Sequence, residues 1–173
     1  MKKILFLFAL SFLLACGPKV SYDFDNRADF SKYRTFNFYP ELKSGLSELD
    51  EKRVIDQLER QLSVKGIRRG DNPDFFVNFY TSQFETPSQQ SVGIGFGTFG
   101  RRSGGTVSTG FPVGGNVLNQ RITVDFVDVA TGSQVWQGQV ASKVKARANP
   151  EEREVYYANL IGKILSKYPP RRK

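Results

Sequence analysis

The sequence predicts an α+β fold: a single domain in which a mostly antiparallel sheet carries two helices on one face, with a long Gly-rich loop inserted. Three observations lead there. Several segments alternate apolar and polar residues as strands do. Two others repeat apolar residues every three to four positions between strong helix start and stop signals. The order is two strands, helix, strand, loop, hairpin, helix, for which two helices against one sheet is the simplest packing.

VSYDFD (residues 20–25) and RTFNFY (34–39) alternate and predict the first two strands. NRADFSKY between them carries turn formers and charges, fitting a loop or short helical turn. SELDEKRVIDQLERQLSVKG starts with Ser47 as N-cap and an acidic first turn and stops at Gly66, a natural C′ residue. Val54, Leu58 and Leu62 recur at four-residue spacing, Ile55 widens the stripe, and an amphipathic helix over the domain's own sheet follows. DFFVNFYTSQF (74–84) is rich in aromatic and β-branched residues. Phe75, Val77, Phe79 and Thr81 point one way and Phe76, Asn78 and Tyr80 the other, so both faces read as largely covered and the strand as central. Residues 85–116 are rich in Gly, Ser, Thr and Pro and read as one long loop. QRITVDFVDV, the turn ATGS and QVWQGQVASKVKA (134–146) form a long hairpin, with Ile122, Val124 and Phe126 on one face and Trp136 in the second strand. The last helix has Asn149 as N-cap, Pro150 at N1, Glu152 at N3 and a proline stop, with Val155, Leu160, Ile161, Ile164, Leu165 and Tyr168 as its buried face.

The start of the chain points outside the cytoplasm. Lys2 and Lys3 precede an apolar run from residue 4 to 15, shorter than the ~20 residues of a membrane span and built like a cleavable signal peptide. Leu13, Leu14, Ala15 and Cys16 resemble a bacterial lipobox, making Cys16 the lipidated N-terminus. Several acyl chains at ~0.8 kcal/mol per buried methylene would anchor it stably. Gly17, which is not acidic, favours the outer membrane, with the domain facing the periplasm or the cell surface. Residues 1–15 are then signal peptide, 16–19 lipidated N-terminus and tether, 20–170 one α+β domain holding the 85–116 loop, and 171–173 a basic tail. About 158 residues remain after cleavage, ample for one core. The net charge of +8 falls to about +6 once Lys2 and Lys3 leave. Arg68–Arg69, Arg101–Arg102, residues 143–147 and 171–173 are basic clusters, readable as attraction to anionic glycan or headgroups or as solvated charge. An exported chain excludes nucleic acid as a partner.

DFSKYRTFNF, QLSVKGIRR, DNPDFFVNFY, ITVDFVDVATGSQVWQG and KYPP, in this order, resemble the bacterial lipoproteins of the domain of unknown function 4136 family. The D-x-x-TG-x-x-VW-x-G segment at residues 128–138 is the most specific part. That resemblance implies an α+β envelope domain tethered to a membrane, and it brings no established catalytic residues.

GIGFGTFGRR holds a literal G-x-G-x-x-G in Gly95, Gly97 and Gly100. A dinucleotide site needs that motif between a strand and a helix whose amides receive the pyrophosphate. RRSGGTVSTGFPVGG follows without helical pattern, so no nucleotide is expected. The chain has no histidine, which excludes Ser-His-Asp and Cys-His catalysis, and its one cysteine is assigned to lipid. S-x-x-K at Ser142 and Lys145 sits on a strand, where residues three apart diverge. Asp23 with Asp25, or Asp125 with Asp128, could serve acid–base work on glycans, but Asp128 before the TG turn reads better as turn-stabilising. No catalytic, cofactor-binding or metal-binding residue is therefore assigned, and no cofactor. The reading is a membrane-anchored, non-catalytic binding or accessory module of the envelope. Its partner, an envelope protein or anionic glycan, would meet Phe96, Phe99, Arg101, Arg102 and Phe111 of the loop. Two alternatives stay open: a carboxylate-based cell-wall glycan hydrolase, needing two acids to converge in one cleft, and direct binding of peptidoglycan or lipopolysaccharide through positive charge.

Overall fold

The computed structural model describes residues 19–86, 91–92, 111–112, 117–143 and 148–171, with side chains described outside 85–118. The signal peptide, Cys16, Phe96, Phe99, Arg101, Arg102 and Lys145 lie outside the described residues, as does the Phe111 side chain. In chain order the elements are β1 (Val20–Phe24), a 3-10 turn (Phe30–Lys32), β2 (Thr35–Phe38), α1 (Glu48–Val64), β3 (Arg68–Arg69) and β4 (Phe75–Thr86). There follow β5 (Ser91–Val92), β6 (Phe111–Pro112), β7 (Val117–Asp128), β8 (Gln134–Lys143) and α2 (Pro150–Leu165).

Six strands form one sheet in the order β1-β8-β7-β4-β2-β3. It is antiparallel from β1 to β4 and parallel where β4 meets β2 and β2 meets β3. Parallel neighbours need a crossover, and α1 supplies it. β1 lies at one edge and β2 near the other, so residues 25–34 run as a strap beneath the strand ends.

Both helices cover one face. Phe75, Val77 and Phe79 of β4 and Ile122, Val124 and Phe126 of β7 meet Val54, Leu58 and Leu62 of α1 and Leu160, Ile161 and Ile164 of α2 in one core. α1 begins as expected, with Ser47 accepting from the Asp50 amide, and Gly66 follows its Lys65 C-cap. At α2 the Asn149–Glu152 capping box is complete and Pro150 opens the helix. The N-terminal turns of the helices are joined by ions: buried Asp50 takes Arg53 at 2.8 Å and Arg153 at 2.7 Å.

Three expectations need correction. Val155 is 60% exposed rather than buried. It stands two positions before buried Tyr157, about 200° around the helix, on the far side from the core stripe. Strand pairing enters the segment read as loop: β4 reaches Thr86, β7 starts at Val117, and Ser91–Val92 pairs with Phe111–Pro112. Composition alone could not show this, because the partner of each strand lies tens of residues away. Arg68–Arg69 remains an exposed basic pair and also forms an edge strand too short for any periodic signal. Finally, β4 is central, but its second face carries no helix among the described residues, and Tyr80 on it is exposed.

Candidate functional site

The face of the sheet turned away from the helices is the most organised surface among the described residues. Alternation puts odd-numbered β7 residues and even-numbered β4 residues on it. Asp23, Gln137, Asp125 and Asn78 stand opposite one another across four strands. The next row is Ser21, Gln139, Thr123 and Tyr80, and on the other side Val127, Phe76 and Asn37 continue the face. Phe76, Tyr80 and Phe84 recur every fourth residue along β4, about 13 Å apart, as an aromatic stripe. Tyr39 packs on Phe76 with ring centroids 5.4 Å apart, and Arg121 lies 5.0 Å over Phe84.

At the centre, Asp125 Oδ1 accepts from Gln137 Nε2 at 2.8 Å and Gln134 Nε2 at 3.2 Å. Burial raises the Asp125 pKa, partly offset by the Gln137 amide. A carboxyl whose folded pKa is raised favours the protonated form, so its ionised form costs stability above the ordinary carboxylate range. Asp125→Asn should keep both amide contacts and melt higher near neutral pH, by on the order of 2 °C. That gap should close as pH falls to about 4, which thermal melts of both chains against pH would show. A pH-independent gap would refute the assignment.

Asp125 and Asp128 do not converge, and of Asp23 and Asp25, which line one shallow cup, Asp25 is held by Arg27. Asp23 and Asp125 share the face with Gln137 between them, two strand spacings or about 10 Å apart on a flat surface. Inverting glycosidases hold their pair across a substrate cleft at roughly 6.5–9.5 Å. Asp25 accepts from Arg27, and Asp128 points to the opposite face from Asp125. Among the described residues no group of three acids, histidines or cysteines is placed to hold a metal. The basic clusters are also apart: Arg68 and Arg69 edge the sheet four strands, roughly 19 Å, from β8, where Lys143 stands. Arg69 itself is spent on Glu59, Asn37 and the Phe38 ring.

Two concavities flank these elements. One of about 460 Å³ beside the start of α2 is walled by Ala148, Val155, Tyr156 and Tyr157. Of its charged neighbours, Glu152 is engaged in the capping box and Arg153 with Asp50, and Lys143 and Glu151 complete the rim. A shallower cup of about 360 Å³, lined by Asp23, Asp25, Gln134 and Gln137, adjoins the amide row of the open face.

The D-x-x-TG-x-x-VW-x-G segment is built into the frame. Asp128 Oδ1 accepts from the Thr131 amide at 2.9 Å, closing the β7–β8 turn, and Gly132 supplies its positive φ of 63°. Asp128 Oδ2 takes the Tyr33 hydroxyl at 2.7 Å and the Lys32 ammonium at 2.6 Å, pinning the strap to the sheet. Asp74 repeats the device, accepting from the Arg34 and Thr35 amides at 2.7 and 2.8 Å. The Trp136 ring lies in the space that a side chain at Gly138 would need. The family model described as domain of unknown function (DUF4136) matches residues 20–170. The chain belongs to the DUF4136 family.

No curated protein matches this DUF4136 chain. Among solved structures it is similar to a PDZ domain protein from Parabacteroides distasonis, with a TM-score of 0.58 and 13% identity over 99% of this chain. It spans 41% of that protein's length, and the likeness concerns the fold alone. Two PelC dodecamer structures from Paraburkholderia phytofirmans align with TM-scores of 0.48 and 0.47 at 12% and 13% identity, over 90% of this chain and 100% of theirs. The DUF4136 domain is thus a single α+β domain with a mostly antiparallel sheet and two packed helices. Sequence reasoning missed the open face as a site. The glutamines at 137 and 139, alternating with the buried Trp136, Gly138 and Val140, were the available signal.

Proposed function

We propose that the protein is a lipid-anchored, non-catalytic binding module of the bacterial outer membrane that docks a hydroxyl-rich glycan strand on the open face of its sheet. One observation carries the reading: the helices seal one face, while the other, among the described residues, holds half-buried Phe76, Asn78, Gln137 and Gln139 and exposed Tyr80 around the buried Thr123 and Asp125. Amide side chains donate and accept side by side, as vicinal sugar hydroxyls require, and aromatic rings cover the apolar faces of the sugars. The central row carries Asp23 and Asp125 and no cation, which disfavours a polyanion there. The lipobox at residues 13–16, with Gly17 after it, supports the anchor and the outer membrane. Phe96, Phe99, Arg101, Arg102 and Phe111 would be a second contact of the same module.

Co-sedimentation of the full chain with purified peptidoglycan sacculi tests this. Asn78→Ala with Tyr80→Ala should weaken binding about tenfold or more. Raising the salt should change binding little, since the contacts are not ionic. Undiminished binding by the double variant sinks the open-face reading. In the same preparation Cys16→Ser should leave the membrane fraction, and its retention there would overturn the anchor. Photocrosslinking from positions 96, 99 and 111 but not from 80 would move the docking site to the loop.

A further inference from the structure

β1 is an edge strand, pairing with β8 and with no other strand among the described residues. The Asp25 amide bonds to the Val135 carbonyl, so by alternation the amides and carbonyls of Asp23 and Ser21 also face β8. Those of Val20, Tyr22 and Phe24 face outward. The Phe24 amide is already held by the Asp23 carboxylate at 2.9 Å. Within Val20–Phe24 there is no lysine, proline or bulge, and Asp23 is the one charged residue on the edge, which leaves the outward amides of Val20 and Tyr22 uncapped by it. Tyr22 is 43% exposed and stacks on Phe24, with ring centroids 6.3 Å apart.

The strand is also complementary to itself. Antiparallel pairing about Tyr22 sets Val20 against the partner's Phe24 and Tyr22 against the partner's Tyr22, all on the helix side, where Val20 and Phe24 already flank the core. On the open side Ser21 would meet the partner's Asp23, a hydroxyl donor opposite a carboxylate, and no like charges stand opposite each other. Tyr22 amides and carbonyls would bond reciprocally, and each Val20 amide would bond the partner's Phe24 carbonyl. No bond seen in the single chain needs to break.

We propose that β1 recruits a second copy of this chain by antiparallel pairing centred on Tyr22, joining two sheets into one. Variants of the full chain that each carry one cysteine besides Cys16, oxidised mildly and run without reductant, test the register. Residues 21 and 23 of opposing copies would form a non-hydrogen-bonded pair with Cα atoms about 4.5 Å apart, and residue 22 would meet itself at about 5.5 Å, both within disulfide reach. Tyr22→Cys should dimerise alone, and Ser21→Cys mixed with Asp23→Cys should dimerise far better than either separately. Both should outpace Leu49→Cys, an exposed position on α1, by at least about tenfold. Tyr22→Cys linking no faster than Leu49→Cys overturns the proposal, as does Ser21→Cys alone matching the mixture. The unsubstituted chain, with Cys16 as its one cysteine, sets the background.

Discussion

Asp128→Ala is expected to destabilise the domain by about 1–3 kcal/mol, the usual cost of leaving a buried donor without its acceptor, since the Lys32 partner is half-exposed and can return to water. The carboxylate is 2% exposed and serves two jobs at once, the β7–β8 turn through Oδ1 and the strap through Oδ2. Removing it leaves the buried Tyr33 hydroxyl and the Thr131 amide without their acceptor, and detaches Lys32. Against a typical total of 5–15 kcal/mol, the loss is a large share. Equilibrium urea unfolding measures it as a fall in midpoint at unchanged slope. Burial alone would raise the Asp128 pKa, but the Lys32 ammonium, the Tyr33 hydroxyl and the Thr131 amide outweigh it and hold the carboxyl well below the usual range. A depressed folded pKa gives stability that is present above the unfolded value, about 3.9, and is lost as pH falls below it. The difference between the natural chain and Asp128→Asn should therefore shrink from pH 7 towards pH 3. A difference that stays constant over that range would show that the carboxylate charge is not what holds the strap.

Gly138→Ala should cost about 1–3 kcal/mol through overpacking, and Gly138→Val more. A Cβ at this position would stand 2.8 Å from Ile164 Cγ2 and closer still to the Trp136 ring. The indole has nowhere to retreat, because Phe126 and Tyr168 pack on it with centroids 4.8 and 5.4 Å away. At roughly 2–4 °C per kcal/mol for a domain of this size, the melting temperature should drop by several degrees. Trp136 is the one tryptophan of the chain, so its fluorescence reports the displacement directly. An unchanged melt and emission maximum would mean that the slot is not filled as described.

Much of the frame was legible from local pattern. The caps of both helices, the faces of residues 75–79 and the turn role of Asp128 all depend on neighbours within a few positions, where sequence spacing and spatial spacing coincide. What escaped depends on distant partners. Asp128 meets Tyr33 across 95 residues, and the parallel pairing of β2 with β4 follows from where α1 lands rather than from either strand. The open face escaped for a related reason. Phe76, Asn78 and Tyr80 look like one more packed side until the two helices are known to share the opposite one. In the same way the family's most specific motif proved to be a fastening of turn, strap and indole, so its sharpness as a signal said nothing about a ligand.

The pairing of Val20 with Val140 also sets an order of assembly. The first strand of the domain to emerge during synthesis finds its neighbour only after most of the domain has followed it. Contacts of such long sequence separation form slowly, because a large loop must close before they return any free energy. β4, α1 and the β7–β8 hairpin can gather while β1 is still unpaired. The strand made first is thus the last to be secured, and a chain cut short before residue 134 would leave it without β8 to pair with.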